Sequence, residues 1–150
     1  MATVQRESER LEEAGILVSE RVGRTRLVRP NLRSPYADGL RSIVMVAFGP
    51  IRILGRLLSA VPGVERAYVF GSWADRYEGL PGPAPADIDV LVIGAPDRDG
   101  VDQMAVTAQE QLGREVNITI RSRDAWQGGD DGFIQSVRAG NLVPIELEGR

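Results

Sequence analysis

The stretch that most constrains the fold is Asp87–Gly94, an almost unbroken run of Ile, Val and Leu that begins with two aspartates one residue apart. A short apolar run of β-branched residues predicts a core strand. An unpaired buried carboxylate is costly. We therefore expect Asp87 and Asp89, at the mouth of this strand, to be hydrated, paired or bound to a cation.

The pattern around this strand alternates between strand and helix from residue 64 onward. The predicted order is strand Val64–Phe70, helix Gly71–Tyr77, loop Glu78–Ala86, strand Asp87–Gly94, helix Val101–Leu112, strand Val116–Arg121, helix Asp131–Ala139 and strand Leu142–Leu147. This order predicts an α/β fold with helices packed against a sheet. Gly113 is placed to end the long helix, and Pro144 favours an edge position for the last strand.

The N-terminal third has a different pattern. Residues 3–14 predict an amphipathic helix ending at Gly15, and the extended runs Ile16–Val22 and Arg26–Arg29 predict a β-hairpin. The segment from Tyr36 to Ala60 is helical in pattern, with an interruption at Gly49-Pro50.

Charge separates the same two parts. Residues 1–33 contain seven Arg and five Glu, a balance of +2, whereas residues 34–150 contain eleven Arg and sixteen acidic residues, a balance of −5. Two charge characters indicate two functional parts. The chain has no Cys and no His, which excludes disulfides, thiolate metal sites, histidine bases and histidine-ligated zinc. Any catalysis must use carboxylates, hydroxyls, Arg and backbone.

The aspartate pair has a chemical interpretation. Residues two apart in a strand share a face, so Asp87 and Asp89 project together while Ile88 and Val90 face the other way. Two adjacent carboxylates favour a shared proton or a cation, and Mg²⁺ commonly joins one or two carboxylates to substrate phosphates. Gly71-Ser72 supplies a close backbone approach and a hydroxyl for a phosphate. The alternative is a pair of solvated residues at a turn and a strand end.

The order Phe70-Gly71-Ser72, a spacer, then Asp87-Ile88-Asp89-Val90 resembles the signature of the minimal nucleotidyltransferase domain of the DNA polymerase β-like superfamily. The resemblance covers about residues 60–121 and implies a mixed sheet with flanking helices. It implies that Ser72 and the backbone near Gly71 hold the phosphates of a nucleotide, with ATP as the expected substrate. It also implies that Asp87 and Asp89 coordinate Mg²⁺ or Mn²⁺.

The resemblance further implies a third carboxylate on a neighbouring strand. The matching position holds Asn117, and Glu115 lies on the same face as an alternative ligand. The basic residue that follows the Ser in similar domains is displaced by one here, to Arg76, which we expect to contact phosphate.

The segment from Val4 to Asn31 resembles the recognition helix and wing of a winged helix-turn-helix domain, without the helices that precede them. This implies that Thr3, Gln5 and Arg6 could meet base edges of DNA and that Arg24 and Arg26 could contact phosphates. The alternatives are a solvated helix and hairpin with no ligand, packing on the helices at 36–60, or pairing with a second copy in a homodimer.

We therefore expect three segments: a partial winged helix at 1–33, connecting helices at 34–62 and a nucleotidyltransferase-like domain at 63–150. Two functions remain open. One is Mg²⁺-dependent transfer of a nucleoside monophosphate, AMP from ATP, to a hydroxyl group of a protein or small molecule. The other is a catalytically degenerate, nucleotide-binding transcription regulator. No apolar run of membrane-spanning length or signal peptide is recognised, so a cytoplasmic protein without a membrane partner is expected.

Overall fold

The computed structural model describes residues 2–129 and 131–149. Met1, Asp130 and Arg150 lie outside that description, as do the side chains of Ala2 and of residues 46–48. The chain divides into two compact units, Met1–Ala47 and Phe48–Arg150. The segment expected to connect two domains, residues 34–62, is thus shared between the two units.

The N-terminal unit is a helix, a hairpin and a second helix. Its elements are α1 (Ala2–Glu13), β1 (Leu17–Val22), β2 (Thr25–Pro30) and α2 (Ala37–Phe48). Gly15, at a φ of +71°, ends the first helix as predicted. Its N–H donates to the Glu12 carbonyl and the N–H of Ile16 to the Leu11 carbonyl, the paired bonds of a Schellman cap.

The hairpin is confirmed. β1 and β2 pair antiparallel from Leu17↔Pro30 to Val22↔Thr25, which leaves Gly23 and Arg24 as the turn. Gly23 has a φ of +62°, which is favourable for glycine and costly for other residues.

The C-terminal unit contains the larger sheet. Its elements are α3 (Pro50–Ser59), β3 (Val64–Phe70), α4 (Gly71–Tyr77), β4 (Asp87–Gly94), α5 (Arg98–Leu112), β5 (Glu115–Arg121), α6 (Arg123–Gly128), α7 (Gly132–Ala139) and β6 (Val143–Ile145). Within the described residues the strand order is β5-β4-β3-β6. β4 pairs parallel with β5, whereas β3 pairs antiparallel with β4 and β6. The fold is therefore α/β with a mixed sheet, and Pro144 lies on an edge strand as predicted.

β4 is interior to the sheet and is covered on both faces. From Val90 to Gly94 every residue is buried, whereas Asp87 and Asp89 at the entrance are half-buried. On one face Leu91 and Ile93 form a core cluster with Val137 of α7. α3 and α5 pack against each other; α3 also contacts the edge strand β6, and α5 also contacts the edge strand β5.

Helix caps account for two differences from the predicted helices, the start of α5 and the presence of α6. The long helix begins at Arg98 because the Asp97 carboxylate accepts from the Gly100 N–H, and it ends at Gly113 as predicted. α6 was not predicted. Ser122 caps its start by accepting from the Ala125 N–H, and Gly129 follows its end in the left-handed conformation. A Ser followed by a Gly one short helix later was the available signal.

The stretch Ala37–Ser59 is long and apolar enough to cross a membrane by length and composition alone, contrary to the expectation that no such run exists. A core helix of a soluble protein meets the same criterion. Leu54 and Leu58, in the second half of this stretch, are fully buried within the C-terminal unit.

Candidate functional site

The end of β3 and the start of α4 form a tight corner beside β4. Phe70 lies opposite Asp89 in the antiparallel register, and Gly71 follows with a φ of +70°. A Cβ atom added at Gly71 would lie 2.7 Å from Oδ2 of Asp89, so only glycine allows the backbone this close to the carboxylate. Trp73 and Ala74 are buried and anchor α4, whereas Ser72 is exposed. The structure thus brings the Gly-Ser corner to Asp89.

The two aspartates converge on a common partner. Asn117 of β5 lies opposite Asp89 in the parallel register. Its Nδ2 donates to Oδ2 of Asp87 at 3.0 Å and to Oδ1 of Asp89 at 3.3 Å. One amide can reach both carboxylates because residues 87 and 89 share a face, as the alternation predicted. Between them, Ile88 is fully buried on the opposite face.

The environment disfavours ionisation of Asp89. Burial raises the pKa of Asp89 above its ordinary value of 3.8, and the neighbouring charge of Asp87 raises it further. The hydrogen bond from Asn117 acts in the opposite sense and is outweighed. A half-buried carboxylate with a raised pKa beside a second carboxylate is a local excess of negative charge that a cation would relieve.

A third carboxylate does not join the pair. Glu115 lies opposite Asp87 in the parallel register, but it is exposed. Within residues 2–129 and 131–149, no three acidic side chains come together in a group that could hold a metal ion. The acidic side chains that meet at this corner are therefore Asp87 and Asp89, and the third side chain, Asn117, turns its Nδ2 donor toward both of them.

Arg76 is engaged with the loop that leads to Asp87. Its guanidinium lies against Gly82, where any Cβ atom would collide with Nη1. Its Nη2 is also 3.9 Å from Oδ2 of Asp75. Nearer the strand, Arg114 donates to the carbonyl of Pro85. Two arginines thus hold the loop between α4 and β4, a role that the sequence did not indicate for either residue.

A second contact missed from the sequence fixes the other end of the corner. Asn141, just before β6, donates through Nδ2 to Oδ1 of Asp75 on α4 at 2.8 Å. The two residues are 66 positions apart in the sequence, and no local sequence pattern predicts a contact over that separation. The bond ties α4, and with it the Gly-Ser corner, to the segment that enters the edge strand.

The predicted DNA contacts lie in the N-terminal unit. Thr3, Gln5 and Arg6 are exposed on α1, and Gln5 donates to Glu9 of the same helix at 3.2 Å. Arg24 is exposed in the hairpin turn.

Arg26, by contrast, is bound within the N-terminal unit. Its Nη2 is 2.7 Å from Oε1 of Glu12, its Nη1 is 3.7 Å from Oε1 of Glu9, and its Nε donates to Ser19. The Arg26 hydrogen bond lowers the pKa of Glu12 below its ordinary value. Arg26 therefore joins the hairpin to α1 and differs in this from the free guanidinium expected of a phosphate contact.

Comparisons of the chain with protein-family models, with curated proteins and with solved structures found no match.

Proposed function

We propose that the C-terminal unit binds a nucleoside triphosphate with Mg²⁺ and transfers the nucleoside monophosphate to a hydroxyl acceptor. The observation that carries the proposal is the convergence of Asp87 and Asp89 beside the left-handed Gly71. A carboxylate pair, a close backbone approach and an exposed hydroxyl are the groups that a metal-bound triphosphate requires. The antiparallel register of β3 and β4 brings them together, since Phe70, directly before Gly71, lies opposite Asp89.

Each residue has a distinct role in this proposal. Asp87 and Asp89 would hold the cation, and the cation would supply neutralisation of the phosphate charge. The Ser72 hydroxyl, exposed at the corner, donates to a phosphate oxygen. The buried neighbours of the pair, Ile88 and Val90, fix the strand from behind. The acceptor oxygen would form the new bond to the α-phosphorus, its proton would pass to solvent water, and the bond from the α-phosphorus to the bridging oxygen would break so that pyrophosphate leaves.

The direct test measures binding and transfer separately. Binding of Mg²⁺–ATP is followed by calorimetry, and transfer by label from α-³²P-ATP in a mixture of hydroxyl acceptors. Asp87→Asn and Asp89→Asn should each weaken binding at least tenfold and abolish transfer. Asp102→Asn, an equal change of charge at an exposed position of α5, is the matched control. Unchanged binding in both site variants would refute the proposal.

A second candidate function is nucleotide sensing without transfer, with the N-terminal unit contacting DNA. The observation that favours it is Asn117, a neutral amide where a third charged ligand would assist catalysis. In this version Mg²⁺–ATP binds with the same dependence on Asp87 and Asp89, but no label is transferred to any acceptor. Binding that is lost in Asp89→Asn, combined with an absence of transfer, would select this candidate.

A further inference from the structure

The third side chain of the carboxylate corner is neutral, and its donor atom faces the carboxylates. Nδ2 of Asn117 lies within hydrogen-bond distance of both Asp87 and Asp89. We propose that Asn117 limits this corner to one divalent cation per bound nucleotide, and that a carboxylate at the same position would admit a second. The inference rests on the nucleotide binding proposed above.

The carboxylate corner supplies enough oxygen ligands for one cation. Mg²⁺ keeps several water molecules and is commonly bound through one or two carboxylates together with substrate phosphates. Asp87 and Asp89 supply those carboxylates. In the described part of the chain neither of them forms an ion pair with an arginine, so both oxygens and charge are available to the ion.

The corner does not supply enough oxygen ligands for a second cation. Paired divalent ions lie about 3.5–4 Å apart, and each needs its own oxygen ligands in addition to the shared ones. An amide N–H cannot ligate a cation. If the Asn117 amide turned over, it would offer a single uncharged oxygen and lose its two hydrogen bonds to the carboxylates. Glu115 is exposed and outside any three-carboxylate group of the described residues, so it does not make up the deficit.

The experiment counts ions per bound nucleotide in the full chain. Equilibrium dialysis uses Mn²⁺ and α,β-methylene-ATP, which cannot release pyrophosphate. The amounts of Mn²⁺ and of the nucleotide analogue bound to the protein are then measured, with a correction for the Mn²⁺–analogue complex that is free in solution. We expect one Mn²⁺ per nucleotide for the unmodified chain and two for Asn117→Asp, which changes charge at almost constant shape. Gln103→Glu adds the same charge on an exposed position of α5 and should leave the ratio at one.

The outcomes separate this inference from the proposed function. Two Mn²⁺ per nucleotide in the unmodified chain, or a ratio of one in a folded Asn117→Asp chain, would overturn the inference while nucleotide binding stands. Absence of both ions and nucleotide in the unmodified chain would overturn the proposed function itself. A ratio of two in Gln103→Glu would show that added charge alone recruits the ion, and would also overturn the inference.

The melting temperature of Asn117→Asp, measured with and without Mn²⁺, shows whether the variant folds and binds the metal. Three carboxylates at one corner repel each other without a cation, so Asn117→Asp should melt at a lower temperature than the unmodified chain in chelator. Saturating Mn²⁺ with the nucleotide analogue should raise its melting temperature by more than that of the unmodified chain. An equal rise in both chains would count against the inference.

Discussion

The two compact units differ in what holds them together. In the C-terminal unit large side chains are fully enclosed, among them Leu54, Leu58, Ile88, Leu91 and Ile134. In the N-terminal unit the described side chains of residues 3–45 include one buried residue, Ser34, and no buried apolar one. Leu32 is 82% exposed and Ile43 is 64% exposed.

This contrast shows which forces specify each unit. Burial of apolar surface is the dominant favourable contribution to folding, and it is concentrated in the C-terminal unit. The N-terminal unit depends on local devices instead: the cap at Gly15, the hairpin ladder and the Arg26 ion pairs. Both tryptophans, Trp73 and Trp126, lie in the C-terminal unit, so their fluorescence reports that unit alone.

The largest expected effect compares a buried and an exposed leucine. Leu58→Ala should lower the free energy of unfolding of the C-terminal unit by about 2–5 kcal/mol, because the change leaves a cavity in a close-packed core. Leu32→Ala should change stability by less than about 0.5 kcal/mol. Urea unfolding followed by tryptophan fluorescence measures the first, and hydrogen exchange of the hairpin amides measures the second. Equal losses would mean that the contrast between the units is wrong.

The next comparison uses two left-handed glycines. Gly71→Ala and Gly23→Ala both force an L-residue into the left-handed region, which costs about 1–2 kcal/mol from the backbone alone. Only at Gly71 would the new methyl group also press on Asp89, because nothing lies within 4 Å of a Cβ at Gly23. Calorimetry should therefore show at least tenfold weaker Mg²⁺–ATP binding for Gly71→Ala and unchanged binding for Gly23→Ala.

One carboxylate in each unit, Asp89 and Glu12, should also contribute to pH-dependent stability with opposite signs. The raised pKa of Asp89 means that its contribution to stability is full below its unfolded value near 3.8 and is lost as pH rises through the folded value. The lowered pKa of Glu12 means that its contribution is full above its unfolded value near 4.5 and is lost as pH falls through the folded value.

Replacing each carboxylate by its amide should reveal the sign of its contribution to the pH dependence of stability. From about pH 3 to pH 7, Asp89→Asn should gain stability relative to the unmodified chain, and Glu12→Gln should lose it. Urea unfolding at a series of pH values measures the first variant, and hydrogen exchange of the hairpin measures the second. Parallel curves for a variant and the unmodified chain would show that the residue titrates alike in the folded and unfolded states.

The smallest expected effect concerns two arginines of the hairpin. If the N-terminal unit binds DNA, Arg24→Ala should weaken binding to all sequences alike and lower the slope of log affinity against log salt by about 1. Arg26→Ala should leave that slope unchanged, because its guanidinium already binds Glu12. A DNA affinity that does not depend on salt in the unmodified chain would refute phosphate contacts by the hairpin.

The parts of the fold that could be predicted are those set by neighbouring residues. β4 followed from its apolar run, and the ends of α1 and α5 followed from Gly15 and Gly113. In the site, the shared face of Asp87 and Asp89 followed from strand alternation. The contact of Asn117 with both required the parallel register, which the sequence does not state.

Other features depend on distant parts of the chain. The bond between Asn141 and Asp75 and the packing of Arg76 on Gly82 arise from how loops return to the sheet. The hydrophobic periodicity of the sequence does not predict the course of these loops. The expectation that Arg76 contacts phosphate came from the resemblance and stays a prediction; in the structure its guanidinium lies against Gly82.

The double attachment of the segment before β4 has a consequence for recognition. Residues 78–86 are rich in Gly and Pro, and their course is held by Arg76 at Gly82 and by Arg114 at Pro85. A segment fixed in this way has lost its conformational entropy during folding, before any ligand arrives. The fixed loop therefore preorganises the approach to Asp87. Association with a ligand at that corner should be fast and should need little rearrangement of the backbone.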